Sequence, residues 1–319
     1  MKKMLALLLA LVMVLSLAAC ASSQPAAAST ETAETTEAAE PAAEESAEAP
    51  AESGKTYTVG VCQLVQHEAL DAATQGFIDA LKEELGDAVT VDVQNASGDS
   101  VNCGTIVNGF VSKGVDLIMA NATPALTAAV SATADIPILG TSITAYGVAL
   151  DIDDFNGTVG GNVSGTSDLA DLQAQAQMIL DWFPETKTVG LLFCSAEPNS
   201  RYQIDEVRKA LEAQGVTCEE FAFTDSNDVS SVTQKAADFS DVVYIPTDNT
   251  AASNTEAIAN VLIPAGVPAI CGEEGLCRGC GVATLSISYY DLGVTTGKMA
   301  AKILKGEADI STMPVEYTD

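Results

Sequence analysis

The chain spells the same short pattern twice. "VGVCQ" at residue 59 answers "VGLLF" at 189, "DLIMANATPA" at 116 answers "DVVYIPTDNT" at 241, and "IPIL" at 136 answers "VPAI" at 267. The offsets are 130, 125 and 131. Unrelated blocks would not keep so steady a spacing. Within each copy, short apolar runs alternate with longer amphipathic stretches. Strands are expected over 57–64, 89–96, 116–122 and 136–141, then over 188–194, 217–224, 241–247 and 267–273. Helices are expected from Glu68 to Leu85, from Asp99, from Pro124, over about 167–183 and over 199–214. Strands that alternate with helices pair in parallel, because each crossover must return the chain to the same edge. The fold class that follows is α/β: two Rossmann-like lobes with parallel sheets, joined by a hinge. Parallel α/β sheets take ligands at the carboxyl ends of their strands, so two facing lobes enclose a cleft.

Charge narrows the partners of such a cleft. The 319 residues carry 44 acidic and 14 basic side chains, a net charge of −30. Residues 31–53 hold eight Glu and no Lys or Arg, and the chain beyond residue 53 is still near −24. A surface this acidic repels phosphate backbones, which argues against nucleic acid. With 47% hydrophobic residues there is enough apolar side chain for two cores.

The first twenty residues read as an export signal. "MKKM" is a positive start, and residues 5–19 form an apolar run too short for a comfortable membrane span. It ends in "LAAC", with the spacing of a lipobox. Cleavage there leaves Cys20 first in the chain and ready to carry lipid. Residues 21–55 are low in complexity, with no aromatic residue and no Val or Ile, so they cannot offset the entropy of ordering. They read as a disordered acidic tether. The cell membrane, through a lipid anchor on its extracytoplasmic face, is therefore an expected partner.

Seven further cysteines remain, an odd number. Most fall in expected strands or helices and read as small buried residues. "CRGC" at 277–280 is a lone C-x-x-C with no second pair and no nearby His, which does not suit zinc. A local disulfide and reduced thiols both fit it.

The polar residues fall where the strand ends would place a ligand. Gln63 and His67 follow the first strand, Asn95 the second, Thr123 the third and Ser142 the fourth. The second copy offers Asn199, then Asp248 and Asn249 in "PTDN", then Glu273. Asn, Asp, Ser and Thr also start helices for local reasons, so the convergence of the set matters more than any member. Asp248 is the first choice for an ammonium group. Trp182, late in an amphipathic helix, reads as core, and Tyr146, Tyr202 and Tyr289 are the aromatic residues nearest the cleft loops.

These segments bear a resemblance. "QHEALDAATQGFIDAL", "NASGD", "GGNVSGTSD", "PTDN" and "YYDLG…KMAAKILKGE" make the chain similar, over almost all of 57–317, to ABC-transporter substrate-binding lipoproteins of the type I periplasmic-binding-protein fold. The likeness is greatest to the branch with tryptophan and other aromatic amino-acid binders. It adds Asp168, which closes "GGNVSGTSD", to the candidate ligand residues. It also implies lobe swapping, with 56–150 and 287–309 in lobe one and 151–286 and 310–319 in lobe two. "SITAYG" (142–147) stands where that family usually shows "VTDP", at a loop facing the cleft. Relatives usually continue beyond the position of Asp319, so a further strand or helix is expected past it. The resemblance implies a monomer that binds a small solute, an amino acid by preference, and hands it to an ABC permease with its ATPase.

No catalytic signature competes with this reading. There is no G-x-S-x-G elbow and no P-loop, and His67, the only histidine, is followed by "EALD" and so makes no H-E-x-x-H. No cofactor is implied. The alternatives are a solute sensor that signals to a receptor and a secreted α/β hydrolase of small amides or esters.

Overall fold

The computed structural model describes residues 55–318. The export signal, Cys20 and the acidic tether lie outside the described residues. Lobe one begins with β1 (Tyr57–Gln63), α1 (Glu68–Leu85), β2 (Val89–Asn95), α2 (Ser100–Lys113), β3 (Leu117–Asn121), α3 (Thr123–Ala132), β4 (Ile138–Ile143), α4 (Tyr146–Ala149) and β5 (Val163–Ser167). The chain then passes to lobe two, with α5 (Leu172–Trp182), β6 (Thr188–Cys194), α6 (Pro198–Glu212), β7 (Thr217–Phe223), α7 (Val229–Phe239) and β8 (Val242–Ile245). There follow α8 (Asn249–Ala252), α9 (Thr255–Ala265), β9 (Ala269–Cys271), α10 (Glu274–Cys280) and β10 (Ala283–Thr284). It returns to lobe one as α11 (Tyr289–Lys305) and β11 (Glu316–Tyr317).

The two sheets run β11-β5-β4-β3-β1-β2 and β10-β9-β8-β6-β7, parallel throughout. Apart from β11 the orders are the same, strand for strand. The repeat in the sequence is thus a repeat of topology. It extends to detail: Asp116, just before β3, accepts the Thr58 N–H at 2.7 Å, and its counterpart Asp241 accepts the Lys187 and Thr188 N–H groups at 2.8 and 2.9 Å. In both lobes a carboxylate satisfies the start of the first strand.

Two corrections to the sequence expectations follow. Residues 151–167 and the last described residues belong to lobe one, because β5 pairs with β4 from Ile138↔Val163 onward and β11 pairs with β5 through Glu316↔Thr166. The true crossings between lobes are residues 168–171 and 285–288. "VSGTS" hides its strand, since it has no apolar run, yet all five residues are buried. Its hydroxyls are hydrogen-bonded instead: Ser164 Oγ donates to Met313 O, and Thr166 Oγ1 lies 3.2 Å from Thr141 Oγ1 and 2.8 Å from Thr296 Oγ1. Gly165 (φ 145°) is required there, because a Cβ would fall 2.0 Å from Gly140 O. The other correction is Trp182, which is 58% exposed and not core.

α11 joins lobe one by lying against α1. A Cβ on Gly76 would sit 2.1 Å from Tyr290 O, and one on Gly293 would sit 2.0 Å from Ala73 O. Only glycine allows that approach. Beneath the helices, Phe77 and Leu81 of α1 are fully buried with Met299 of α11 and Val59 and Val61 of β1. Each such side chain contributes roughly 1.5–3 kcal/mol. All seven cysteines among the described residues are unpaired. Among the described residues no helix is long and apolar enough to cross a membrane.

Candidate functional site

The carboxyl ends of the two sheets face each other across a polar cavity of about 280 Å³. Lobe one and the crossings supply His67, Ser142, Thr144, Asp168 and Tyr289. Lobe two supplies Asn199, Thr247, Asp248, Asn249 and Glu273, with Leu70 and Ala252 as the apolar lining from either side. Seven of the ten residues expected from sequence are thus brought together here. No Lys or Arg lines the cavity, while three carboxylates do.

Three expected residues lie elsewhere. Gln63 is spent inside lobe one, where its Nε2 donates to Asp71 Oδ1 at 2.6 Å and its Oε1 accepts from Thr74 at 2.7 Å. Asn95 is exposed, and its Oδ1 accepts the Ser97 N–H. Thr123 is buried at the start of α3 but does not reach the cavity lining. Tyr146 fills the lobe-one core, with its OH donating to Thr166 O.

The carboxylates divide by what they hold. Asp248 Oδ2 accepts the Cys194 N–H at 2.6 Å and Oδ1 accepts the Ala251 N–H at 2.8 Å, so both oxygens serve backbone. Glu273 accepts the N–H groups of Gly275 and Leu276 at 2.6 and 2.5 Å, capping α10. Behind the cavity, Glu197 accepts from the backbone and side chains of both Asn249 and Thr250, at 2.7 to 3.0 Å. Asp168 is different. Its Oδ2 accepts the Tyr289 hydroxyl at 2.8 Å, but its buried Oδ1 has no partner in the protein. Asp168 opens the first crossing and Tyr289 follows the second, so this bond ties the two crossings together at the cavity.

Burial raises the affinity of these carboxyls for protons, since it disfavours the charged form. It raises Asp168, pushes Glu273 up to about 7 and, with Glu197 alongside, pushes Asp248 up to about 8. Burial acts on His67 in the opposite sense and holds the imidazole below its ordinary value.

Four cavity residues carry a buried polar atom with no protein partner: His67 Nδ1, Ser142 Oγ, Asp168 Oδ1 and Asn199 Oδ1. Each such atom costs about 1–3 kcal/mol if left unpaired. The backbone here is strained as well. Ala122, just after β3, has φ 88°, and Ser142, at the irregular end of β4, has φ 56°. Residues in such conformations cluster at ligand sites, where surrounding structure imposes them. Sequence reasoning passed over Leu70, Ala252, Thr144 and Thr247. The first two sit on helices in a spacing that also serves a core, so nothing local marks them. Thr247 lies within "PTDN" and was within reach.

Comparison with known proteins agrees with this architecture. The family model for ABC transporter substrate binding protein matches residues 58–319. The chain is 32% identical over 274 residues to the tyrosine-binding protein of Clostridioides difficile strain R20291, covering 84% of this chain and 78% of that one. A domain from Streptococcus pneumoniae solved in complex with L-Trp is 33% identical, with a TM-score of 0.79 over 83% of this chain and 90% of its own. A ligand-free, open substrate-binding protein from Clostridium difficile is 35% identical with the same coverage, yet its TM-score is only 0.61. The match over most of its length makes the chain a member of the ABC transporter substrate-binding protein family, with the type I periplasmic-binding-protein fold.

Proposed function

We propose that the protein is the extracytoplasmic receptor of an ABC importer and that it carries an amino acid in the interlobe cavity. The observation that carries this reading is Asp168: a buried carboxylate with one oxygen held by Tyr289 and the other free. An α-ammonium group supplies what that oxygen lacks, through a charge-assisted hydrogen bond. The remaining lining agrees. Asn199 Oδ1 is an acceptor too, and the cavity has no cationic side chain to pair an anionic solute such as a sugar phosphate. The hydroxyls of Ser142 and Thr144 suit the solute's own carboxylate. The Trp- and Tyr-binding relatives support the same class.

Binding then acts on the hinge directly, because Asp168 opens one crossing and Tyr289 directly follows the other. A ligand that bridges the lobes favours the closed state by its differential affinity for it. The closed receptor presents its solute to the permease as a monomer held to the membrane by lipid on Cys20. It catalyses no reaction.

Native mass spectrometry of the protein against a panel of amino acids, pentoses and nucleosides tests the solute class. An amino acid adduct is expected; retention of only a sugar or nucleoside would defeat the reading. For the anchor, Cys20→Ala should move the protein from the membrane fraction to the medium, and continued membrane association would refute lipidation.

A further inference from the structure

The only histidine in the chain stands where the two lobes touch. His67 precedes α1 of lobe one, and its Nε2 lies 3.2 Å from Asn249 Oδ1 of lobe two. Either ring nitrogen of a neutral imidazole can hold the proton. The neighbours decide which. Asn249 Nδ2 is 2.7 Å from Glu197 Oε2. A carboxylate oxygen accepts and an amide NH₂ donates, so the amide of Asn249 has one orientation and turns its carbonyl oxygen to His67. Glu197 is itself fixed by the N–H groups of Asn249 and Thr250 and by the Thr250 hydroxyl. A carbonyl oxygen can only accept, so Nε2 must carry the hydrogen. Burial keeps the ring neutral, with Glu197 and Asp71 the nearest opposing charges. Nδ1 is then a bare lone pair, buried and without a protein partner.

The surroundings of that lone pair differ from those of Asp168. Ala252, one of the two apolar residues of the lining, borders His67 again on the outer side of the cavity, whereas Asp168 is bonded to the Tyr289 hydroxyl. An ammonium group is drawn to the carboxylate. What remains for the His67 side is a part of the solute that is largely apolar and ends in a hydrogen-bond donor.

We infer that His67, set by the relay from Glu197 through Asn249, is a specificity-determining acceptor that selects amino acids whose apolar side chain bears an N–H or O–H, such as a phenol or an indole. This inference rests on the amino-acid reading of the cavity and adds the identity of the side chain. A phenyl or branched aliphatic side chain would bury the Nδ1 lone pair with nothing to pair it, and a site with an unpaired buried group rejects the analogue that lacks the donor. The relay bridges the lobes, so the lone pair is set in place only when they close.

Two measurements test it. In the full chain with ¹⁵N-labelled histidine, the single imidazole gives one pair of nitrogen resonances. Near neutral pH, protonated Nε2 and unprotonated Nδ1 are expected. A protonated Nδ1, or an imidazolium, overturns the inference, and this result needs no variant. Calorimetric titration with L-Tyr, L-Trp and L-Phe gives the second. L-Phe should bind at least about tenfold more weakly than the better of the other two. His67→Leu should bring the ratio within about threefold. L-Phe binding as tightly as both in the wild type overturns the assignment of His67 and leaves the amino-acid reading standing. Failure of every amino acid to bind a folded wild-type protein overturns that reading and this inference together.

Discussion

The two lobes share a topology strand for strand, yet they spend their polar groups differently. Lobe two has carboxylates at the ends of β8 and β9 and behind them, and each is committed to backbone. Asp248 and Glu273 cap α8 and α10, and Glu197 holds the start of α8. Lobe one and the crossings have left groups free: His67 Nδ1, Ser142 Oγ and Asp168 Oδ1. They also hold the strained residues, Ala122 and Ser142. Lobe two is thus a frame whose loops are fixed before any solute arrives, with Asn199 Oδ1 as its one free acceptor among these groups. In the proposed function lobe one is then the reader. Duplication supplied two equal scaffolds, and the hydrogen bonds at the strand ends made them unequal.

Asp168→Asn should be the most damaging test of that contrast. It removes the charge that an ammonium group pairs with. Loss of one partner of a buried charged pair costs roughly 2–5 kcal/mol, or about 30- to 5,000-fold in affinity. The melting temperature should hold or rise, because an unpaired buried carboxylate is costly in the free protein. Calorimetry beside thermal melts reads both. Affinity within a few-fold of wild type would remove Asp168 from the site.

Asp248→Ala should show the reverse. A lost cap costs about 1 kcal/mol, and the Cys194 N–H left without a partner adds about 1–3 kcal/mol. The protein should melt several degrees lower, while affinity changes less than in Asp168→Asn. Should Asp248→Ala lose affinity as deeply as Asp168→Asn, lobe two would be a reader as well and the contrast would collapse.

Much of this was legible in the chain and the rest was not, for physical reasons. Alternating apolar runs and their steady offset reveal the lobes because period and burial go together. β5 escaped because it is buried through hydroxyl pairs and not through hydrophobicity. The site was legible as loops after strands, since in parallel sheets those ends converge. Which polar atom stays free was not. Asp248 is occupied by an N–H 54 residues away, at Cys194, and Gln63 is taken up by Asp71 and Thr74 one turn of fold away. Such partners are set by tertiary geometry, which the residue types alone do not encode.

The smallest effect is the pH dependence, and it sharpens the same comparison. The folded-state values of Asp168, Glu273 and Asp248 are raised by burial, the last two to about 7 and about 8. A group whose value is raised by folding contributes stability that is full below its unfolded value, near 4 for a carboxyl, and lost as pH rises through the folded one. His67 is shifted the other way, which adds stability with rising pH only up to its unfolded value near 6.5. Between pH 6.5 and 8.5 the folded imidazole stays neutral and the unfolded one loses its remaining charge, while the carboxyls titrate; the buried thiols, raised by burial, add to the loss as pH nears their unfolded value of about 8.5. Surface acids held down by partners, such as Asp92 beside Lys113, are ionised throughout and contribute no slope. The solute-free protein should therefore melt lower at pH 8.5 than at 6.5, by on the order of 2–4 °C for about 1 kcal/mol. An amino acid should reverse part of the loss, because its ammonium favours ionised Asp168, so its stabilising shift should be larger at pH 8.5. In Asp168→Asn that pH-dependent part of the ligand shift should vanish while the slope of the solute-free protein, carried by lobe two, persists. Melts in the four combinations of pH and variant, with and without solute, decide it. A solute-free protein equally stable or more stable at pH 8.5 would mean that the lobe-two carboxyls are ionised by their backbone donors and form a fully charged frame.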